Sequence, residues 1–264
     1  DLAASYFFGL GVDQDQNKAI KILEEQASQN SAEAMNVLGS CCYSMKNYEK
    51  AEYWFEQAFE NGCAAAALKQ ANIYLLAHGE KKDIEKGTGL LKKAADAGDP
   101  DALFYLAMGY IYGEKSEIAV EKDIMQGIDC LKKAIWSGSY KAYQIYGEFL
   151  TEGDIVEKDL KMGMALLTAA AVHGNDEAQA DLGDLYFRGE EGMEPDYEKA
   201  FYWANMAYQN GNEEIKICLS AMYYDGLGVE KDCEKAITLL HEAVADGFAE
   251  AERILHELEQ SDGI

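Results

Sequence analysis

Proline, histidine and cysteine are scarce in this chain, and basic residues are outnumbered about two to one by acidic ones. Only 2 prolines, Pro100 and Pro195, occur in 264 residues. The 4 histidines (His78, His173, His241, His256) are scattered, with no HExxH and no Cys/His pairing at zinc spacing. The 6 cysteines (Cys41, Cys42, Cys63, Cys130, Cys218, Cys233) are too few for a disulfide-dense scaffold, and no CxxC occurs. No apolar run reaches the roughly 18 residues of a membrane-spanning helix. With 23 Lys and Arg against 48 Asp and Glu, the net charge is −25. Such a chain repels phosphate backbones and anionic lipid, which disfavours nucleic acid and membrane insertion. A protein or peptide partner carrying basic residues fits it better. No motif asks for a cofactor or a metal.

What the chain does have is 48% hydrophobic residues, a globular composition long enough for one large domain or two smaller ones. Near its end it reads GLGVEKD (226–232), which in isolation could open a phosphate loop. The Lys-Ser/Thr and the preceding strand that such a loop requires are missing. The stretch also has relatives within the chain, at GLGVDQD from Gly9, GEKSEIAVEKD from Gly113, GDIVEKD from Gly153 and GEEGMEPD from Gly189. Its lysine, Lys231, recurs in two of them as Lys122 and Lys158, as expected of a solvated loop.

Sliding the chain along itself brings four columns into register. Small residues stand at Ala19, Ala51, Gly87, Gly127, Gly163, Ala200 and Ala236, and again seven positions on from Ala58 to Ala243. Asn30, Gly62, Gly98, Gly138, Gly174, Gly211 and Gly247 form the third column; Ala34, Ala66, Ala102, Ala142, Ala178, Ile215 and Ala251 form the fourth. Small residues at i and i+7 share a helix face and let two backbones approach closely. The glycine column suits a helix C′ position, where the left-handed conformation costs glycine little and asparagine not much more. An aspartate column (Asp15, Asp83, Asp123, Asp159, Asp196, Asp232) sits where an N-cap belongs. Each unit is therefore read as helix A, a loop and helix B, with Pro100 in a first turn and Pro195 in a loop. The unequal spacings, from 32 to 40 residues, place the longer insertions in the A–B loop.

LGDLYFRG…DYEKAFYWANMAYQNG (182–211) and LSAMYYDGLGVEKDCEKAITLLHEAVADG (219–247) resemble Sel-1-like repeats, a branch of the tetratricopeptide-repeat superfamily with a longer A–B turn. LGSCCYSMKNYEKAEYWFEQA (38–58) is similar to an ordinary tetratricopeptide repeat. Gly87, Gly127 and Gly163 replace the usual alanine, and Leu150 the usual tyrosine. The resemblance implies an all-α fold, an α/α right-handed superhelical solenoid of about seven helix-pair repeats. It is read as a single repeat domain, 1–264, with units ending near 30, 62, 98, 138, 174, 211 and 247 and a C-terminal capping helix at 248–260. No catalytic residues come with the family. The cysteines fall in different columns, so the disulfide framework of some secreted relatives is absent and free thiols in a cytoplasmic, reducing compartment are expected. The start at Leu2-Ala3, in the middle of a helix A, is read as a truncated N-terminus with an exposed edge at Leu2, Tyr6 and Phe7. That reading leaves a secreted or periplasmic origin open.

The resemblance also implies a non-catalytic interaction scaffold or adaptor that binds a peptide or protein segment in a concave groove. The positions it places there are Leu68, Asn72, Leu75, Phe104, Met108, Ile111 and Tyr112, largely apolar, followed by the mainly acidic set Gln144, Glu148, Glu152, Asp184 and Arg188 with Phe187. A competing reading has several of the apolar members packed against the neighbouring helix. Tyr6, Tyr74, Tyr110, Tyr186 and Tyr223 are expected in the core. Carboxylate pairs such as Glu190–Glu191 and Glu213–Glu214 are read as solvated faces, since a catalytic pair needs a cleft that shifts one pKa. Two alternatives stand beside the scaffold: a repeat module of a larger signalling or host-interaction protein, or a small-molecule-binding or hydrolytic protein using the superhelix cavity.

Overall fold

The computed structural model describes residues 2–76, 82–116, 118–190 and 192–262. His78 and Glu191 lie outside the described residues. The chain divides into two compact units, Asp1–Ser139 and Tyr140–Ile264. In the first, helices pair as α1 (Leu2–Phe8) with α2 (Gln16–Ala27), α3 (Ala32–Ser44) with α4 (Tyr48–Glu60), α5 (Ala64–Leu75) with α6 (Ile84–Asp96), and α7 (Pro100–Tyr112) with α8 (Ile124–Trp136). The second holds α9 (Tyr140–Glu152) with α10 (Leu160–Ala171), α11 (Asp176–Arg188) with α12 (Tyr197–Gln209), α13 (Lys216–Asp225) with α14 (Cys233–Ala245), and a closing α15 (Ala249–Asp262). The architecture is an all-α repeat of seven helix pairs.

Each column has its physical cause. The aspartates at 15, 83, 123, 159, 196 and 232 all cap a helix B, the carboxylate accepting the N–H three residues on; Asn47 does the same in the short second repeat. The capping residue also closes the loop. Its own N–H donates to a helix A carbonyl, from Asp15 to Tyr6, Asp123 to Tyr110, Asp159 to Leu150, Asp196 to Tyr186 and Asp232 to Tyr223, each 2.8 Å. Because both ends of the loop are tied this way, its middle can lengthen without disturbing either helix. In the fourth repeat the longest loop is further held by the Ala119 N–H donating to Thr88 Oγ1 at 2.9 Å. At the other end of helix B, the residue after the glycine column donates to the carbonyl five residues back, as Cys63 does to Ala58 and Phe248 to Ala243. Asn30 and every glycine of that column have φ between 61° and 98°, which ends the helix in a Schellman turn.

The tyrosine column is half core and half surface. Tyr74 and Tyr223 are buried, whereas Tyr6, Tyr110 and Tyr186 are half-buried. The third residue of helix B explains the polar end: Lys18, Lys86 and Lys235 donate Nζ to the hydroxyls of Tyr6, Tyr74 and Tyr223. The same lysines stand over the rings, 4.1–4.3 Å from the centroids. At the expected N-terminal edge, Leu2 and Phe8 are exposed but Phe7 is buried, packed with Ala19 and Leu23. In α15, Ala251 and Leu255 are buried against Leu240 and Ala243, while Glu252, Arg253 and Glu257 face outward.

Candidate partner-binding surface

In the first unit the anticipated surface residues separate into two groups. Leu75 and Ile111 are buried; their side chains reach into the space a Cβ would fill on Gly87 and Gly127. Both belong to the core and leave the surface set, because helix A meets helix B at these positions. Leu68 is likewise buried. Asn72, Phe104 and Met108 are half-buried, and Tyr112 is exposed. Phe104 packs edge-on against Tyr105, with ring centroids 5.6 Å apart. Of the apolar residues anticipated on this unit's surface, Phe104, Met108 and Tyr112 are the ones that keep exposed area.

In the second unit the acidic set converges. Glu148, Glu152, Asp184 and Arg188 line one cleft of about 330 Å³ on α9 and α11. Gln144, only 4% exposed, donates its amide to Glu148 Oε2 at 3.3 Å and to Asp181 Oδ2 at 3.0 Å. One neutral side chain thereby holds two carboxylates that repel each other. Arg188 pairs with Asp184, at 2.6 Å from Nη2, and Lys158 pairs with Glu190 at 2.9 Å. No cation among the described residues pairs with Glu148, Glu152 or Asp181, so the cleft keeps a local negative excess. Burial, then repulsion from Asp181 and Glu152, pushes Glu148 up to about 7. Burial pushes Asp181 up to about 6, with Glu177, Asp184 and Glu152 adding repulsion against the relief from Gln144.

Asp181, Lys158 and Glu190 were not anticipated. Asp181 sits one position beyond the column that runs through Leu68, Phe104 and Gln144, and its place in the cleft depends on how α9 and α11 pack. A second feature was within reach of the sequence. The columns of Gln144 and Glu148 continue into the seventh repeat as Ile217 and Ala221. With Phe187, Cys218 and Phe248 these residues line a trough of about 680 Å³ that shares Asp184 and Arg188 with the acidic cleft. Burial pushes the Cys218 thiol up to about 11, so it is a protonated apolar wall here. Among the described residues, no group of three or more His, Cys, Asp or Glu is placed to hold a metal ion. No described helix is long and apolar enough to cross a membrane.

The Sel1 repeat model matches residues 1–31, 32–63, 64–99, 100–138, 141–175, 176–212 and 218–248. A Sel1 repeat protein from Oxalobacter formigenes, known as a crystal structure, superposes with a TM-score of 0.76 at 30% identity, over 97% of this chain and 74% of that one. A protective antigen present in uropathogenic Escherichia coli strains, which displays an SLR fold, reaches a TM-score of 0.79 at 21% identity, over 100% and 56% of the two chains. Chitin synthase regulatory factor 3 of Schizosaccharomyces pombe is 27% identical over 183 residues, 66% of this chain and 19% of that protein. The human protein sel-1 homolog 2 is 27% identical over 189 residues, 70% of this chain and 26% of its own length. The chain spans less than half the length of these curated relatives. With seven matched repeats, each carrying the same cap, loop closure and terminal turn, the chain belongs to the Sel1 repeat family.

Proposed function

We propose that this protein is a non-catalytic interaction scaffold whose second unit binds a partner segment carrying an apolar anchor and a lysine or arginine. One observation carries the reading: a cleft whose carboxylates Glu148, Glu152 and Asp181 have no cation paired with them among the described residues lies beside an apolar trough at Ile217, Ala221 and Phe248. A cationic side chain would replace the repulsion between Glu148 and Asp181 with attraction, and an apolar side chain would dry the trough. Phe104, Met108 and Tyr112 give the first unit a separate apolar contact of the same kind. The family supports a role in protein association, and one relative is named as a regulatory factor.

The test is affinity capture with identification of the bound proteins, followed by Glu148→Lys, Ile217→Asp and Phe104→Ala variants. The expected result is loss of one and the same partner with the first two variants while far-ultraviolet circular dichroism stays unchanged. Retention of every partner by folded variants would remove the assignment. A second reading, that the chain is a module of a longer regulatory protein, draws on its covering only 19% and 26% of two relatives. On that reading the interaction surface is the same and the downstream activity lies elsewhere.

A further inference from the structure

A separate cleft lies in the first unit. It holds about 670 Å³ between α4 and α6 and is floored by Ala67 and Gln70 of α5. These two residues lie on a different face of α5 from Leu68 and Asn72. One wall is a row of glutamates along α4, Glu49, Glu52, Glu56 and Glu60, spaced by three or four residues so that they share a helix face. The opposite wall carries Lys86 and Lys93 of α6. Phe59 and Leu90, both half-buried, supply the apolar lining, and Tyr53 stands 54% exposed at the rim. Among the described residues, no ion pair joins the two walls directly; at one end the Tyr74 hydroxyl, which accepts from Lys86, also hydrogen-bonds Glu52.

Gly89, on the α6 wall, is the second observation. Glycine is the poorest helix former after proline, and it stands here in the middle of a helix. Two residues earlier Gly87 has a reason to be small, since a Cβ there would meet Leu75 at 2.6 Å. Gly89 has no such reason: a Cβ on it would find nothing within 4 Å. The equivalent position holds Lys21, Tyr53, Asp129, Ala165, Tyr202 and Thr238 in the other repeats. The fold of this chain leaves that position free, and what its smallness does is open the wall of the cleft to an approaching backbone.

We propose that this cleft docks an amphipathic helix of a partner protein, with an apolar stripe bordered by Lys or Arg on one flank and Asp or Glu on the other. The glutamate row spans roughly 16 Å at 1.5 Å per residue, about three turns of such a helix. Charges of opposite sign on two parallel walls match a helix whose flanks carry the reverse order, and set the direction in which it runs. Gly89 admits the close approach.

The probe is an 18-residue synthetic helix with a leucine stripe, lysines on one flank and glutamates on the other. Its control is an isomer of identical composition with both charges mixed on each flank. Binding to the full chain is read by fluorescence anisotropy at fixed salt. The segregated peptide is expected to bind at least tenfold more tightly than its isomer. Gly89→Phe and Glu56→Lys are each expected to lower that affinity at least tenfold, with the thermal midpoint of the Gly89→Phe variant unchanged or raised. Equal binding of the two peptides overturns the proposal, as does tight binding that survives both substitutions in folded protein. Sedimentation velocity of the chain alone closes the remaining route. Self-association abolished by Gly89→Phe would assign the cleft to a second copy and overturn the foreign-helix reading.

Discussion

A Cβ built on Gly87 would stand 2.6 Å from Leu75 Cγ and 3.3 Å from the carbonyl oxygen of Ala71. The same relation recurs between Gly127 and Ile111 at 2.5 Å, and between Gly163 and Thr151 at 2.6 Å. In the repeats with alanine in this column, at Ala19, Ala51, Ala200 and Ala236, the corresponding helix A position is aromatic instead: Phe7, Tyr43, Phe187 and Tyr224. Glycine is therefore the partner of a branched side chain, and the departure from alanine is a matched substitution across the helix pair.

Gly87→Ala is accordingly expected to destabilise by about 1–3 kcal/mol through overpacking, although alanine is the better helix former. Gly89→Ala, two residues away over open space, is expected to stabilise by about 0.5–1 kcal/mol. Urea unfolding of the two variants checks the contrast. The double variant Leu75→Ala/Gly87→Ala should lose less than the sum of its parts, because the alanine methyl then occupies room that Leu75 has vacated.

Asp232 ends the GLGV turn by two hydrogen bonds of different kinds. Its carboxylate accepts from the Lys235 N–H at 2.9 Å, and its own N–H donates to the Tyr223 carbonyl at 2.8 Å. Asp232→Ala removes the first and keeps the second, for an expected loss of about 1 kcal/mol. Asp232→Asn retains the acceptor and should cost much less. Equal losses in the two variants, measured by thermal melting, would mean that charge and not capping is what the position supplies.

The thiols should divide into two groups. Cys41, Cys42 and Cys130 are buried, and Cys63, Cys218 and Cys233 are half-buried. Burial pushes Cys41 and Cys218 up to about 11, and Cys42 and Cys130 upward as well. A chromogenic aromatic disulfide at pH 8 is expected to modify Cys63 and Cys233 first and these four slowly, with all six reacting in denaturant. Mass spectrometry of the partly labelled protein assigns the order.

The repeat was legible because each of its columns answers a local demand. A cap needs an acceptor, a terminal turn needs positive φ, and a close crossing needs a small side chain, so each leaves its residue in register. The surface was legible only in part because it depends on which helix leans on which. Leu75 and Ile111 share the spacing of surface positions, but each turns onto a glycine twelve or sixteen residues further along. Pairing the glycine column with the facing position of helix A would have separated them from Phe104 and Met108. Asp181 enters the acidic cleft through the packing of α11 on α9, which no spacing within one repeat reveals. Ile217 and Ala221 were in register, and extending two columns by one repeat reaches them.

The carboxylates around Gln144 give the second unit a pH dependence of definite sign. Glu148 moves from its ordinary 4.5 up to about 7, and Asp181 from 3.8 up to about 6. Both folded values lie above the unfolded ones, so the folded chain holds the extra protons between them. Stability from these two groups is therefore highest below about pH 4 and falls as pH rises through 6 and 7. The groups facing the pair are Gln144 and Glu152 on α9, Glu177, Asp184 and Arg188 on α11, and Asp154, Lys158 and Glu190 beside the cleft; neither cation is paired with Glu148 or Asp181. Glu148→Gln keeps the shape and removes the charge. It is expected to raise the thermal midpoint at pH 8 and to leave it nearly unchanged at pH 4, the difference growing between about pH 4.5 and 7. A cationic ligand seated between Glu148 and Asp181 should bind more tightly at pH 8 than at pH 5.5 and release protons as it binds at pH 6.5. Calorimetric titration in two buffers of different ionisation enthalpy reads that release, and a proton-neutral titration would place the ligand elsewhere.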